Sequence, residues 1–354
     1  MNGPESRTAS GLSRPARLRP GDRVAAVTSS WGGPGELPHR YEAGKRQLED
    51  AFGVTVVEMP HTLAGPAFLA DHPQARVDDL HAALADPDIA GIVSTIGGED
   101  SIRLLPRIDQ DLIAANPKVY LGYSDSTILQ MAFLRAGVVS FYGPAIMAGF
   151  GENAGIHEYL REGVRRTLFD PEAPLEWPEN RDGWTVEHLD WSDPANQARP
   201  RTLRPPTGRR WLGGDPAEGP LVAGCLEVLD WLRGTPWWPD LDGAVLALET
   251  SEEGPPPEVV ERFLRSLAAM GDLSRVAALL FGRPGGSDLP VEDHERYDRA
   301  VERVVRRELG LEEVPIVTGL DFGHTDPIWT LPIGVRTRVD PLARTVVFLE
   351  SGVV

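Results

Sequence analysis

Short runs of aliphatic and β-branched residues alternate with stretches whose apolar positions recur every three or four. Arg23-Val-Ala-Ala-Val-Thr28 predicts a strand, Tyr41 to Phe52 a helix, and Val54-Thr-Val-Val-Glu58 a second strand. Gln74 to Ala85 predicts a helix with Val77, Leu80 and Leu84 on one face. Ala90 to Ile96 predicts a buried strand ending in Gly97-Gly98, and Val119 to Tyr123 another that runs into Ser124. This strand–helix rhythm predicts an α/β fold with a parallel sheet. Sites in such sheets gather at the carboxyl ends of the strands.

The rhythm divides the chain into four parts. Residues 1–20, rich in Ser, Arg, Pro and Gly, predict a flexible leader, and 21–170 carry the first α/β domain. Residues 171–215 are dense in Pro, Arg and Asp and hold Trp177, Trp184, Trp191 and Trp211; they predict an interdomain connection. A free linker has little use for so many tryptophans, so some should pack on a domain or a ligand. Residues 216–354 predict a second domain. There Leu221 to Arg233 looks helical, and Gly243-Ala-Val-Leu-Ala-Leu-Glu249 is a strand ending in an acid. Pro256 to Met270 predicts a helix, Val276 to Phe281 a strand, and His294 to Leu309 a helix. Two alternating strands about Asp340-Pro-Leu-Ala343 predict a closing hairpin.

Composition narrows the function. Hydrophobic residues make up 41% of 354, a globular proportion. The formal charge of −18 repels phosphate backbones and anionic lipid, which argues against nucleic-acid and membrane partners. The single cysteine, Cys225, excludes an internal disulfide and a cysteine metal cluster. The leader lacks the apolar core of a secretory signal, and no run approaches the roughly 18 apolar residues of a membrane span. A cytoplasmic protein acting on a small molecule is the expectation.

The candidate chemistry starts at Lys118-Val-Tyr-Leu-Gly-Tyr-Ser-Asp-Ser-Thr127. A strand, a sharp turn with Ser124 and an immediate helix have the layout of a nucleophile elbow, although Gly122-x-Ser124-x-Ser126 departs from Gly-x-Ser-x-Gly. Ser-Asp-Ser-Thr before a helix is also an ordinary N-cap. A nucleophilic serine needs a base and an orienting acid. Of eight histidines, His324 alone sits in a Gly- and Pro-rich loop after a short apolar strand, and Glu249 ends an apolar strand. A surface histidine or one that merely supports a site, and a helix-capping or solvated carboxylate, are the plainer alternatives. Gly97-Gly98-Glu99 can bring backbone N–H groups close to a substrate, with the N–H of Asp125 as partner in an oxyanion hole.

Together these segments resemble the LD-carboxypeptidase family of serine peptidases. The matching pieces are Leu18-Arg-Pro-Gly-Asp-Arg-Val24, Arg76-x-x-Asp79-Leu80 with Asp86-Pro-Asp-Ile89, Gly97-Gly98, Gly122-Tyr-Ser-Asp-Ser-Thr127, Leu248-Glu249, and Gly323-His324-Thr325 with Leu331-Pro-Ile-Gly334. The resemblance implies a Rossmann-like N-terminal domain with the nucleophile, a C-terminal mixed α/β domain with the acid and the histidine, a site between them, and a homodimer. It assigns Ser124 as nucleophile, His324 as base and Glu249 as orienting acid, with no metal or cofactor. Trp184-Thr-Val-Glu-His-Leu-Asp-Trp191 and Arg210-Trp211 are similar to the microcin C immunity branch, where an aromatic stacks on the nucleotide of an aminoacyl-adenylate-like substrate. Trp191 and then Trp211 carry that expectation, with packing as the alternative. Where the family shows Gly-Gly-Asn-Leu, this chain reads Ala223-Gly-Cys-Leu226, so Cys225 stands at a substrate-binding asparagine position. The expected activity is hydrolysis of an amide in a peptide-nucleotide or aminoacyl-adenylate-like toxin. Removal of D-alanine from a murein tetrapeptide is the alternative within the same chemistry, and a non-catalytic nucleotide- or peptide-binding protein the alternative outside it.

Overall fold

The computed structural model describes residues 6–286 and 289–354. Five strands of the N-terminal half, β1 (Arg23–Val27), β2 (Thr55–Glu58), β3 (Ile89–Ser94), β4 (Val119–Gly122) and β5 (Ser140–Tyr142), are mutually parallel. Beyond them follow β6 (Leu175–Glu176), β7 (Arg210–Trp211), β8 (Ala217–Cys225), β9 (Val245–Glu249), β10 (Ala278–Gly282), β11 (Ile316–Leu320), β12 (Leu331–Ile333), β13 (Arg336–Asp340) and β14 (Thr345–Phe348). The first sheet has the order β12-β5-β4-β3-β1-β2, and the second β6-β14-β13-β8-β9-β10-β11-β7. The α/β reading, with a parallel-rich first sheet and a mixed second one, holds. Every residue of β4 and of β9 is buried, as a parallel strand covered on both faces requires.

β12 comes from the C-terminal part yet pairs antiparallel with β5, so the last segment of the chain ties back onto the first sheet. The leader is tied down as well. Ser13 bridges to Val138, Leu18 is buried in the core, and the Arg17 and Val354 amides donate to Val354 and Pro15 carbonyls. The expectation of a flexible leader therefore fails for residues 7–20: apolar Leu18 enters the core, and the backbone groups beside it find partners at Leu168 and Val354. Among the described residues, no helix is long and apolar enough to cross a membrane.

One element differs from its sequence reading. Leu221 to Arg233 is not one helix: β8 runs to Cys225, and only Leu226–Asp230 is helical. A continuous apolar run fits a doubly covered strand as well as a buried helix. Pairing with β9 decides it. The hairpin β13–β14 forms as expected.

Candidate active site

Three strand ends and one loop meet at the site. Ser124 follows β4 with φ of +60°, in the left-handed region where a side chain is strained by about 1–2 kcal/mol. Gly122 makes the turn possible, since a Cβ there would lie 2.6 Å from Ser126 Oγ and 2.8 Å from Ser94 Cβ. The helix Thr127–Arg135 starts at once and is buried from Thr127 to Phe133. Thr127 Oγ1 donates to the Ser124 carbonyl (2.7 Å) and accepts from the Cys225 amide (3.1 Å), linking the turn to the end of β8. No side chain caps this helix, so the cap reading of Ser-Asp-Ser-Thr has no hydrogen bond behind it.

Glu249 ends β9 and is 1% exposed. Its Oε2 lies 2.7 Å from His324 Nδ1, and its Oε1 accepts from the Tyr142 hydroxyl. Tyr142, at the end of β5, also accepts the Ser124 amide N–H at 3.1 Å. One phenol thus joins the turn of the first domain to the acid of the second. Gly323 leaves room for the pair: a Cβ there would lie 2.4 Å from Glu249 Oε2. The other ring nitrogen of His324, Nε2, lies 3.1 Å from Glu252 Oε2, and the Tyr123 ring sits 5.0 Å from the imidazole. Burial disfavours the His324 cation, but Glu249, Glu252 and Glu227 outweigh it and hold the pKa up at about 9. Burial pushes the Glu249 carboxyl up, against the pull of His324 and Tyr142.

These groups open onto a cavity of about 450 Å³, whose lining includes Gly97, Gly98, Ser124, Trp191, Glu252 and His324. Gly97 faces the serine: a Cβ there would lie 2.9 Å from Ser124 Oγ and 3.5 Å from the Asp125 nitrogen. Gly97→Ala is therefore expected to reduce turnover about 10²–10³-fold, by filling the space that a developing oxyanion would use. Steady-state kinetics beside a thermal melt would separate this from unfolding. The Asp125 carboxylate turns away and accepts from the Asp100 and Ser101 amides, which fixes the loop after Gly98. Glu99 is exposed and lies outside the lining.

The connection 171–215 forms a wall of this cavity rather than a linker. Trp177 and Trp184 are buried, Trp184 between the guanidinium groups of Arg204 (4.9 Å) and Arg283 (4.7 Å). Trp191 is half-buried at the cavity edge. Arg40 lies 4.3 Å over its ring, and its carbonyl is 2.7 Å from His39 Nε2. Trp211 is not at the cavity: its strand pairs with β11, and its half-buried ring packs on the core. Cys225 is buried behind the acid, its Sγ 3.4 Å from Glu227 Oε2, and its thiol pKa is pushed well up by burial. It does not line the cavity either. Of the nine site candidates, the structure brings Ser124, Glu249, His324, Gly98, Asp125 and Trp191 to one place. The residues unforeseen from sequence are Tyr142, Arg40 and Arg201, the two arginines by their place in the lining; Glu252 reads from sequence as a helix-capping or solvated acid that disfavours an anionic substrate, and the structure sets it against His324. Tyr142 carries no motif, and only the neighbouring of β4 and β5 gives it a role.

The thiol of Cys225, a carboxylate oxygen of Glu249 and an imidazole nitrogen of His324 lie within 4.8 Å of one another. Each already has a hydrogen-bonding partner in the protein.

The chain as a whole is similar to known proteins. The LD-carboxypeptidase N-terminal domain matches residues 24–143, and the LD-carboxypeptidase C-terminal domain residues 218–339. Microcin C7 self-immunity protein MccF of Escherichia coli is 28% identical over 332 residues, 92% of each chain. Murein tetrapeptide carboxypeptidase of Pseudomonas aeruginosa is 28% identical over 315 residues, 86% of this chain and 87% of its own. The structure of MccF in complex with aspartyl sulfamoyl adenosine superposes with a TM-score of 0.83 at 26% identity, over 96% of this chain and 99% of that one. The two domain matches cover most of the chain in order, and by them the protein belongs to the LD-carboxypeptidase family of peptidases.

Proposed function

We propose that the protein is a cytoplasmic serine hydrolase that cleaves an amide bond in an aminoacyl-nucleotide or peptide-nucleotide toxin. The observation that carries the catalytic part is the chain Ser124 N–H to Tyr142 Oη to Glu249 to His324 Nδ1, which fixes a strained serine and an oriented imidazole on one frame. Glu249 accepts a hydrogen bond from Nδ1–H, which keeps that proton on the ring and leaves Nε2 as the base. His324 takes the Ser124 proton as Oγ adds to the carbonyl, with the Gly98 and Asp125 amides on the oxyanion. The imidazolium returns its proton to the leaving amine, and an acyl-enzyme remains. Water, deprotonated at the same nitrogen, releases the acid and regenerates Ser124.

The nucleotide part of the reading rests on Trp191, a flat half-buried ring at the cavity edge backed by Arg40. The likeness to MccF, which binds aspartyl sulfamoyl adenosine, supports it. The likeness to a murein tetrapeptide carboxypeptidase supports the second reading, release of D-alanine from murein peptide. Mass spectrometry separates them: the protein and its Ser124→Ala variant are incubated with an aminoacyl sulfamoyl adenosine and, separately, with a murein tetrapeptide. Serine-dependent loss of the amino acid from the nucleotide supports the first, and loss of D-alanine the second. If neither changes while the adenosine compound binds, the protein is a binding protein.

The pKa of His324 sets the pH dependence. A base must be neutral, and the imidazole is protonated in the free protein until the pH passes about 9. The charged and titratable groups around it are Glu249, Glu252, Glu227, Tyr123, Tyr142 and Cys225. kcat/KM, which reports the free enzyme, is expected to rise with pH towards about 9 rather than level off near 6.5. A pH–rate profile with an acid limb at ordinary histidine values would mean that the carboxylates around the imidazole, Glu249 before Glu252 and Glu227, do not hold it protonated in solution.

A further inference from the structure

The contact between Glu252 and His324 is one that the proposed reaction cannot keep. Nε2 must face Ser124 Oγ to act as base, and instead it lies 3.1 Å from Glu252 Oε2. The turn that carries Glu252 is anchored at its root, where the Ser251 amide and hydroxyl both donate to Glu227 Oε1 at 3.1 and 2.9 Å. The Glu252 side chain itself is 73% exposed and free to swing.

The other acids lining the cavity are already matched. Glu187 pairs with Arg199 at 3.0 Å, and Asp326 with Arg201 at 2.7 Å. Glu252 has only the imidazole as an ion-pair partner among the described residues. A carboxylate that lines the same cavity as the nucleophile, with no cation of its own except the base, has its charge unmet whenever the base is neutral. A substrate cation would meet it. A neutral side chain would leave Glu252 on His324, and an anionic one beside Glu252 would face like charge; of the cations lining the cavity, Arg201 is paired with Glu152 and Asp326, and Arg40 lies over the Trp191 ring.

Building on the hydrolase reading above, we infer that Glu252 is the specificity residue of this site. Its carboxylate takes a cationic side chain on the residue whose carbonyl is attacked, and rests against His324 Nε2 until such a cation arrives. Substrate charge and readiness of the base are then coupled: the same ammonium that binds Glu252 frees the nitrogen that Ser124 needs.

The test uses lysyl, norleucyl and aspartyl sulfamoyl adenosine, and murein-type tetrapeptides with Lys, norleucine or Asp donating the carbonyl to D-alanine. Norleucine keeps the lysine chain and drops its charge. The protein is expected to favour Lys over norleucine about tenfold in kcat/KM, as a charge-assisted contact in a half-open site gives, with Asp slowest. In Glu252→Gln the lysyl rate falls until the two lie within about twofold, and in Glu252→Lys the order of Lys and Asp reverses. A charge-blind native enzyme, or an equal fall for Lys and norleucine in Glu252→Gln, overturns the inference and leaves the hydrolase standing. Calorimetric binding of the three adenosine compounds to Ser124→Ala, with and without Glu252→Gln, runs alongside. Lysyl preference that disappears with Glu252, with no turnover of any substrate, upholds the inference and sinks the hydrolase. Neither turnover nor charge-dependent binding overturns both.

Discussion

Ser124→Ala is expected to lower kcat at least about 10⁴-fold on whichever amide substrate the protein turns over, with the fold intact. Residues of a catalytic unit fail together, so His324→Ala and the double variant should lie within a few-fold of the single one. If the double variant multiplies the two losses, the residues act independently and the nucleophile–base assignment is wrong. The same position carries a stability prediction of opposite sign. At φ of +60°, Ser124 is held in a conformation that favours glycine. Ser124→Gly should relieve about 1–2 kcal/mol of strain and lose about 0.5–1 kcal/mol to the freer unfolded chain, a net gain of about 0.5–1 kcal/mol. A thermal melt of native, Ser124→Ala and Ser124→Gly proteins reads this directly. A gain in stability joined to a loss of activity is what strain kept for function looks like.

Why Ser124 was legible in the sequence, and Tyr142 was not, follows from the distance over which each is specified. The turn is local: an apolar strand, Gly122 and an uninterrupted helix are all within a few residues of the serine. Glu249 and His324 were legible for a related reason, as an acid on a strand end and a histidine in a glycine-rich loop. Tyr142 lies in the short apolar strand Ser140–Tyr142, and nothing nearby distinguishes it from a core aromatic. Its role exists only because β5 lies beside β4 and opposite the end of β9, a matter of sheet order. Glu252 follows a strand end in an acidic turn and is a solvated acid by exposure; the imidazole facing it is 72 residues away in the chain. The division of 221–233 failed for the converse reason. Leu-Val-Ala-Gly-Cys is apolar throughout, so its period is silent, and only its pairing with β9 makes it a strand. Trp211 and Cys225 were placed at the ligand by resemblance alone; packing holds Trp211 on the core beside β11, and Cys225 within 4.8 Å of the Glu249–His324 pair but behind it, off the cavity lining.

Glu249→Gln tests the frame that Tyr142 completes. Both carboxylate oxygens of Glu249 are acceptors, one for the Tyr142 hydroxyl and one for His324 Nδ1. A glutamine offers one acceptor and one NH2 donor, so in neither orientation does it accept from both Tyr142 and Nδ1–H. With its oxygen on Nδ1–H, its NH2 meets a phenol oxygen that already accepts the Ser124 amide, and the Tyr142 proton loses its acceptor. With its NH2 on Nδ1, the proton of the imidazole moves to Nε2, and the ring can no longer take a proton from Ser124. The second orientation abolishes the base, and the first loosens the turn that presents the nucleophile. A loss of about 10⁴-fold in kcat is expected, as when the acid of a triad is made an amide. A buried group left without a partner costs about 1–3 kcal/mol of stability in addition. Tyr142→Phe separates the two effects. It removes the phenol's contacts and leaves the Glu249–His324 pair in place, so its activity should fall well short of the Glu249→Gln loss. The pH–rate profile gives the second readout. Without the Glu249 charge, the His324 pKa loses the first of the carboxylates that raise it, and the acid limb should move down from about 9 in Glu249→Gln but stay high in Tyr142→Phe. An acid limb that does not move in Glu249→Gln would mean that the titration belongs to another group and that His324 is not the base.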